Sequence, residues 1–362
     1  MSDALTDMRL MSRALVLAQK GRYTAHPNPC VGAVLVRDGQ IIGEGWHVRP
    51  GAPHAEIMAL DMAREAAGAT CYVTLEPCAH HGRTPPCCEA LVAADVRKVV
   101  VATPDPNPLV SGRGLNHLRQ HGIDVVTGLF ADEARALNRA FFQRMETGRP
   151  RVVVKLASTL DGATALDNAD SYWITETAAR HDVQRLRAQC DAIITGAGTV
   201  IADDPMLTVR SWPGGPSSET LSQPLRVVLD PQARVPATAK IWQSGPVMRV
   251  TANHTGDDGI PTETRFVRQG RVALLPLLEH LANTHQVNQV LVEAGATLAG
   301  AFLQANLVDE LYVYQAAKIV GPAQRSLVDW PPLAKMTEAH ALPAPEIRRI
   351  GRDWRLKFVL NP

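Results

Sequence analysis

Between His54 and Cys88 the chain gathers a histidine, a glutamate two residues later and four of its six cysteines, with Pro77 directly ahead of Cys78. One His nitrogen and two Cys thiolates, from His54, Cys78 and Cys87, give a zinc ion three protein ligands. The fourth tetrahedral position stays open for water, as a catalytic site requires. Zinc lowers the pKa of such a water towards neutrality. Glu56 is then a carboxylate beside that water, suited to taking its proton and passing it to a leaving group. A fold that uses these residues must bring Pro53-His54-Ala55-Glu56 against Glu76-Pro77-Cys78 and Cys87. Plainer readings remain. His80, His81 or Cys88 could supply a fourth ligand and close the site, Cys88 could replace Cys87, and Glu56 could act only as an acidic residue favourable at a helix N-terminus.

The local pattern around this cluster alternates helix and strand. Met8, Met11, Leu15 and Ala18 recur at helical spacing over residues 5–20. Val31 to Val36 and Ile41 to Trp46 are apolar strands joined by Asp38-Gly39, a hairpin signal because Gly accepts positive φ. A helix is expected over 54–67, with His54 and Glu56 in its first turn. The strand Thr70 to Leu75 then delivers Pro77-Cys78 at its carboxyl end, where open α/β sheets place their sites. Cys87 starts a helix, and helix N-termini favour thiolate. After the strand Lys98 to Ala102 comes a proline-rich loop carrying Asp105, Asn107 and Ser111. A helix to Gln120, the strand Ile123 to Val126 and a helix over 131–146 complete this half. Thr147-Gly148-Arg149-Pro150 breaks the pattern, so the boundary is placed there, giving domains 1–148 and 149–362.

The second half begins with the strand Val152 to Val154, with Lys155 following. It continues with a helix over 176–190 and the strand Asp191 to Thr195. Further strands run from Leu225 to Leu229, Gln289 to Glu293 and Leu311 to Tyr314, with a helix near 272–283. Two strand–loop–helix points, Gly196-Ala197-Gly198-Thr199 and Gly295-Ala296-Thr297, can present backbone N–H groups to phosphate. Neither is a full dinucleotide fingerprint, and tight packing of strand on helix is the plainer explanation of both. Residues 211–222 and the last forty residues carry little signal.

Composition narrows the setting. A length of 362 residues predicts two domains, possibly three, and 46% hydrophobic content is ample for buried cores. The 37 basic and 36 acidic residues nearly cancel, which argues against a general nucleic-acid surface. An aromatic content of 5% argues against stacking platforms for single strands. The N-terminus lacks a cationic start followed by an apolar core, and no apolar run approaches membrane-spanning length. Cysteines clustered beside a histidine read as metal binding rather than a disulfide framework, so a reduced, cytoplasmic setting is expected.

His-x-Glu followed by Pro-Cys and a second Cys is the pattern of zinc-dependent nucleobase deaminases. Those usually have Cys-x-x-Cys, whereas residues 79–86 separate Cys78 from Cys87 here. That interval, with His80-His81-Gly82-Arg83-Thr84-Pro85-Pro86, resembles the deaminase half of the bifunctional riboflavin-biosynthesis deaminase/reductase family. The reductase half of the same family is resembled by Val154-Lys155-Leu156-Ala157-Ser158-Thr159-Leu160-Asp161-Gly162 and by Trp173-Ile174-Thr175. Asp182 to Arg187, Gly198 to Pro205 and Glu293-Ala294-Gly295 continue that likeness. The similarity runs from about residue 6 to 325 in the family's order. Glu176-Thr177 departs from it, standing where a Gly-Pro-like pair is more usual.

The resemblance implies an N-terminal cytidine-deaminase-like three-layer α/β/α domain and a C-terminal dihydrofolate-reductase-like α/β domain. It implies zinc-dependent deamination of 2,5-diamino-6-ribosylamino-4(3H)-pyrimidinone 5′-phosphate. It also implies NADPH-dependent reduction of the ribosyl group of 5-amino-6-(5-phosphoribosylamino)uracil to ribityl. Zn2+ and NADPH are the expected cofactors, pyrimidine ribotides the expected partners, and a homo-oligomer (dimer or tetramer) the expected state.

Position by position, it matches His54, Cys78 and Cys87 to zinc, Glu56 to the proton shuttle, and Asn28, His47, Arg83, Asp105, Asn107 and Ser111 to deaminase substrate contacts. Ser158, Trp173, Thr199, Asp203, Gly295, Ala296 and Thr297 match cofactor positions. Ser171, Arg187, Leu207, Arg210 and Glu293 match reductase substrate positions, with arginine suited to a phosphate. Taken alone, Arg187 would be a solvated helix charge. Lys155, a lysine on a strand, is a candidate catalytic group near the reacting sugar. Two rivals are an RNA-editing deaminase with an added domain, opposed by the long Cys78–Cys87 interval and the balanced charge, and a zinc-stabilised binding module without turnover.

Overall fold

The computed structural model describes residues 2–79, 86–108, 110–164, 174–217, 220–252, 258–321 and 325–361. The chain forms two compact units, Met1–Gly148 and Arg149–Pro362.

In the first unit the order is α1 (Ser2–Ala18), β1 (Gly32–Arg37), β2 (Gln40–Trp46), α2 (Ala55–Ala63), β3 (Thr70–Val73) and α3 (Cys87–Ala93). β4 (Lys98–Val101), α4 (Arg113–Gln120), β5 (Asp124–Thr127), α5 (Ala131–Leu137) and α6 (Arg139–Thr147) follow. The sheet order is β2-β1-β3-β4-β5, with β1 antiparallel to both neighbours and β3, β4 and β5 parallel. Side chains alternate across it as strand geometry demands. Leu35, Cys71, Val73, Val99 and Val101 face α2, α3 and α4, while Val34, Val36, Tyr72 and Val100 face α1 and α5. The result is a three-layer α/β/α sandwich. Gly45 lets α2 lie flush on β2, since a Cβ there would stand 2.2 Å from the Ala55 carbonyl oxygen.

Two elements depart from the sequence pattern. The helix expected over 54–67 stops at Ala63, because Arg64 takes a left-handed φ of 61°. The single helix expected over 131–146 is two, broken at Asn138. The Asn138 side chain accepts from the Cys30 N–H (2.7 Å) and donates to the Cys30 carbonyl (2.9 Å), a strand-like pairing to a distant segment.

The second unit contains β6 (Arg151–Thr159), α7 (Thr177–Ala188), β7 (Ala192–Gly196), α8 (Ala197–Asp203), β8 (Leu225–Leu229), β9 (Val247–Val250) and β10 (Thr262–Glu263). It continues with the small hairpin β11 (Val267–Arg268) and β12 (Arg271–Val272), then α9 (Leu274–Thr284), β13 (Gln289–Glu293), α10 (Ala296–Gln304), β14 (Glu310–Ala316), β15 (Glu346–Ile350) and β16 (Asp353–Val359). Nine strands form one mixed sheet, β10-β9-β8-β7-β13-β6-β14-β16-β15. Strands β10 to β14 in this order run parallel, and β16 joins β14 antiparallel. One face packs Val152, Val154, Ile194, Val227 and Val292 against α9 and α10. The other packs Val153, Ile193, Val228 and Leu291 against α7. Runs buried on both faces, such as Val152-Val153-Val154, are what a covered parallel sheet requires. Among the described residues, no helix is long and apolar enough to cross a membrane.

Candidate active sites

In the first unit the three predicted metal ligands converge. His54 is the residue before α2, Cys87 is the first residue of α3, and Cys78 follows the end of β3. Their donor atoms lie within 4.8 Å of one another, the one such group of His, Cys and acidic residues found among the described residues. His54 Nδ1 is 3.1 Å from Cys87 Sγ and 3.5 Å from Cys78 Sγ, and the Cys87 N–H points at Cys78 Sγ at 3.3 Å. Cys88 is outside this group: it is buried, and its N–H donates to the Cys78 carbonyl. The hydrogen bond from Cys87, together with His54, draws Cys78 down to about 4, while the same bond and burial push Cys87 up. A nitrogen and two sulfurs within 4.8 Å of one another form a donor set that fits zinc.

Glu56 is 4% exposed, inside the first turn of α2. Burial pushes its carboxyl up to about 7, with the Cys78 charge adding to that and His54 opposing it. A solvated capping residue would have neither property. His47, also buried, packs edge-on against His54 with ring centroids 5.4 Å apart. Its Nε2 lies 3.0 Å from Asn28 Nδ2 and its Nδ1 3.4 Å from the Pro53 carbonyl. Burial and the neighbouring His54 lower its pKa, so it stands neutral, with Nδ1–H donating to Pro53 and Nε2 accepting from Asn28. Asn28 and His47 are thus joined beside the metal ligands. Asp105, Asn107 and Ser111 lie on the loop after β4, where the Asn107 N–H donates to Asp105 Oδ1 and the Ser111 N–H to the Asn107 carbonyl. Arg83, His80 and His81 lie outside the described residues.

In the second unit, β7, β13 and β6 are parallel neighbours, and the candidate groups gather at their carboxyl ends. Lys155 and Glu293 are register partners across β6 and β13. Arg187, from α7, binds Glu293 in a fork, Nε to Oε1 at 2.5 Å and Nη2 to Oε2 at 2.9 Å, and its Nη1 donates to the Thr208 carbonyl at 3.1 Å. Arg187 is therefore not a solvated helix charge. Burial raises the Glu293 carboxyl, but Arg187, Lys155 and Arg210 outweigh it and hold the group below the usual range. Burial lowers the Lys155 ammonium, with Glu293 opposing.

Leu207 is buried, and Arg210 is exposed at the far end of the same short loop. Side chains hold that loop from beneath: Arg226 donates to the Met206 carbonyl, Gln223 pairs with both the N–H and the carbonyl of Val209, and Gln184 accepts from the Arg210 N–H. Sequence reasoning gave no role to Gln184, although it lies within the Asp182–Arg187 stretch, nor to Gln223 and Arg226, which lie in no motif. The Gly196 and Gly295 points open α8 and α10 from adjacent strands. Thr199 and Asp203 are on α8, Ala296 and Thr297 start α10, and Ser158 is buried near the end of β6. A Cβ added to Gly295 would meet nothing within 4 Å, so open space faces this turn. Ser171 and Trp173 lie outside the described residues.

Comparison with known proteins follows the same division. Residues 150–356 match the family described as the RibD C-terminal domain, and residues 5–103 match the cytidine and deoxycytidylate deaminase zinc-binding region. The riboflavin biosynthesis protein RibD of Escherichia coli (strain K12) is 49% identical over 367 residues, covering 98% of this chain and 100% of that protein. RibD of Haemophilus influenzae is 45% identical, covering 98% of this chain and 97% of that one. A solved structure of Acinetobacter baumannii RibD, form 2, gives a TM-score of 0.93 at 45% identity, covering 99% of each chain. A diaminohydroxyphosphoribosylaminopyrimidine deaminase/5-amino-6-(5-phosphoribosylamino)uracil reductase from Thermotoga maritima gives 0.87 at 32% identity, covering 98% of this chain and 99% of that one.

Proposed function

Because the chain belongs to the RibD family, the bifunctional deaminase/reductases of riboflavin biosynthesis, we propose which of its residues carry the two reactions. The deaminase hydrolyses the exocyclic amino group of the diaminopyrimidine ribotide, and the reductase converts the ribosyl group of the deaminated product to ribityl with NADPH. Residues 1–148 carry the first reaction and 149–362 the second.

In the deaminase, His54, Cys78 and Cys87 hold zinc, which when bound supplies Lewis-acid activation of the attacking water. Glu56 does the proton work. A carboxyl at about 7 is poised to accept a proton and to give it up again near neutral pH, so Glu56 takes one from the nucleophile and delivers it to the departing ammonia. Asn28 and the neutral His47 line the same site, and Asp105, Asn107 and Ser111 with Arg83 recognise the pyrimidine and its ribose phosphate. The buried Glu56 beside the His54–Cys78–Cys87 group is the observation that carries this assignment.

In the reductase, NADPH supplies the hydride and the protein positions both partners. The turns at Thr199 and Gly295-Ala296-Thr297, with Ser158, Trp173 and Asp203, take the cofactor. The substrate lies between Arg210, Leu207, Ser171 and the Glu293–Lys155 pair, with Lys155 next to the reacting sugar. Arg187 spends its fork on Glu293 and the Thr208 carbonyl, so its part is to orient Glu293 and the loop, and the exposed Arg210 is the phosphate ligand. Thiolate ligands are consistent with a reducing setting and support the reading of a cytoplasmic enzyme. The homo-oligomer implied by the family resemblance completes this reading, and sedimentation of the full chain measures it.

Incubation with the diaminopyrimidine ribotide tests the assignment. Ammonia should appear without NADPH, and NADPH should be oxidised only after deamination or when the deaminated ribotide is supplied. Absence of ammonia release, or NADPH oxidation on the diamino compound itself, would overturn it.

A further inference from the structure

One buried carboxylate in the deaminase unit belongs to neither the metal site nor any ion pair found among the described residues. Glu76 is 4% exposed. Its Oε2 accepts from the N–H groups of Asp105 (3.2 Å) and Gly112 (3.0 Å), and its Oε1 from those of Gly114 (3.0 Å) and Leu115 (3.3 Å). Asp105 and Gly112 bracket the loop that carries Asn107 and Ser111, so one carboxylate closes both ends of that loop. Gly114 and Leu115 lie in the first turn of α4, whose N–H groups have no partner within the helix and whose dipole favours a negative charge. Glu76 also lies two residues before Cys78. Next to it, the Pro77 carbonyl oxygen would stand 2.0 Å from a Cβ on Gly114, so α4 is seated directly on the ligand-bearing segment.

We propose that Glu76 is a positioning residue for the deaminase substrate, fixing the two ends of the loop that carries Asn107 and Ser111 through backbone hydrogen bonds at Asp105 and Gly112. The proposal rests on the reading that this loop contacts the pyrimidine ribotide. A carboxylate is needed because it accepts at two oxygens with about four lone-pair sites. A glutamine of the same shape has one oxygen and would turn an NH2 group towards two of the four donors. Loss of these charge-assisted bonds loosens the loop without removing a metal ligand or the proton shuttle, so the defect falls on substrate binding rather than on the chemical step.

The test uses the full-length enzyme carrying Glu76→Gln, with the reductase reaction on the same chain as the folding control. Zinc content and NADPH oxidation on supplied deaminated ribotide are expected to match the parent. KM for ammonia release is expected to rise about tenfold or more, with a smaller change in kcat, and amide exchange at Gly112 and Gly114 to accelerate. Glu76→Asp, which keeps the charge but shortens the reach, should fall between the two. An unchanged KM, or a kcat loss that tracks zinc loss, overturns the proposal. Asn107→Ala separates the two readings: if it raises KM while Glu76→Gln does not, the loop contacts substrate and Glu76 does not position it. If neither raises KM, the loop reading itself fails.

Discussion

The N-terminal unit draws its candidate metal donors and proton shuttle from one short span of sequence, at the starts of two helices and just after one strand. The C-terminal unit draws its charged groups from β6, α7, the loop after α8 and the end of β13. The first site is a cluster of donor atoms that one zinc ion could bind together. The second is organised by the Glu293–Arg187 fork, which leaves Lys155 under the field of both. A metal centre must be compact, because its ligands all touch one ion. A site for two large partners must be spread over a sheet edge. The contrast predicts that substitutions in one unit act on one reaction only.

Glu56→Gln gives the largest expected effect. The amide cannot shuttle a proton, so kcat for ammonia release should fall by about a hundred- to ten-thousandfold while zinc content is kept. Residual ammonia release near the parent rate would remove Glu56 from the role, and a parallel fall in NADPH oxidation would break the separation of the two sites. Arg210→Ala comes next. A lost charge-assisted bond to phosphate is worth about ten- to a hundredfold, here expected in KM for the reductase with deamination untouched. An unchanged KM in steady-state assays on supplied deaminated ribotide would take Arg210 out of the site. Asn138→Ala is the smallest. It leaves the Cys30 N–H and carbonyl without their side-chain partner and should lower the stability of the N-terminal unit by about 1–3 kcal/mol. Denaturant unfolding reads this, and no loss would show that the bonds to Cys30 are replaceable.

The same contrast decided what the sequence could disclose. His54, Glu56, Cys78 and the Cys87–Cys88 pair stood out because metal chemistry restricts residue type and spacing together, with the family resemblance selecting Cys87, and the alternation of helix and strand around them was legible as well. Lys155 stood out as a lysine on a strand, but Arg187 and Glu293 were reachable only through family resemblance, since charged residues so far apart share no period. Glu76 was named beside Pro77-Cys78 but given no role, because its partners are backbone N–H groups that leave no mark in the sequence. For the same reason the break at Asn138 looked like continuous helix. The last strands were hidden by composition: β15 carries Arg348 and Arg349 at the exposed sheet edge, and β16 beside it interleaves Arg355 and Lys357 with its apolar residues, so the apolar run that marks a buried strand is absent from both.

Metal removal tests the central claim most directly, that zinc chemistry belongs to the first site alone. The full-length enzyme is stripped with a chelator, then assayed for ammonia release from the diaminopyrimidine ribotide and for NADPH oxidation on supplied deaminated ribotide. The account predicts that ammonia release is lost and returns on adding zinc, while NADPH oxidation is unchanged throughout. Ammonia release that survives stripping to zinc-free protein, or NADPH oxidation that falls with the metal and recovers with it, would contradict the account.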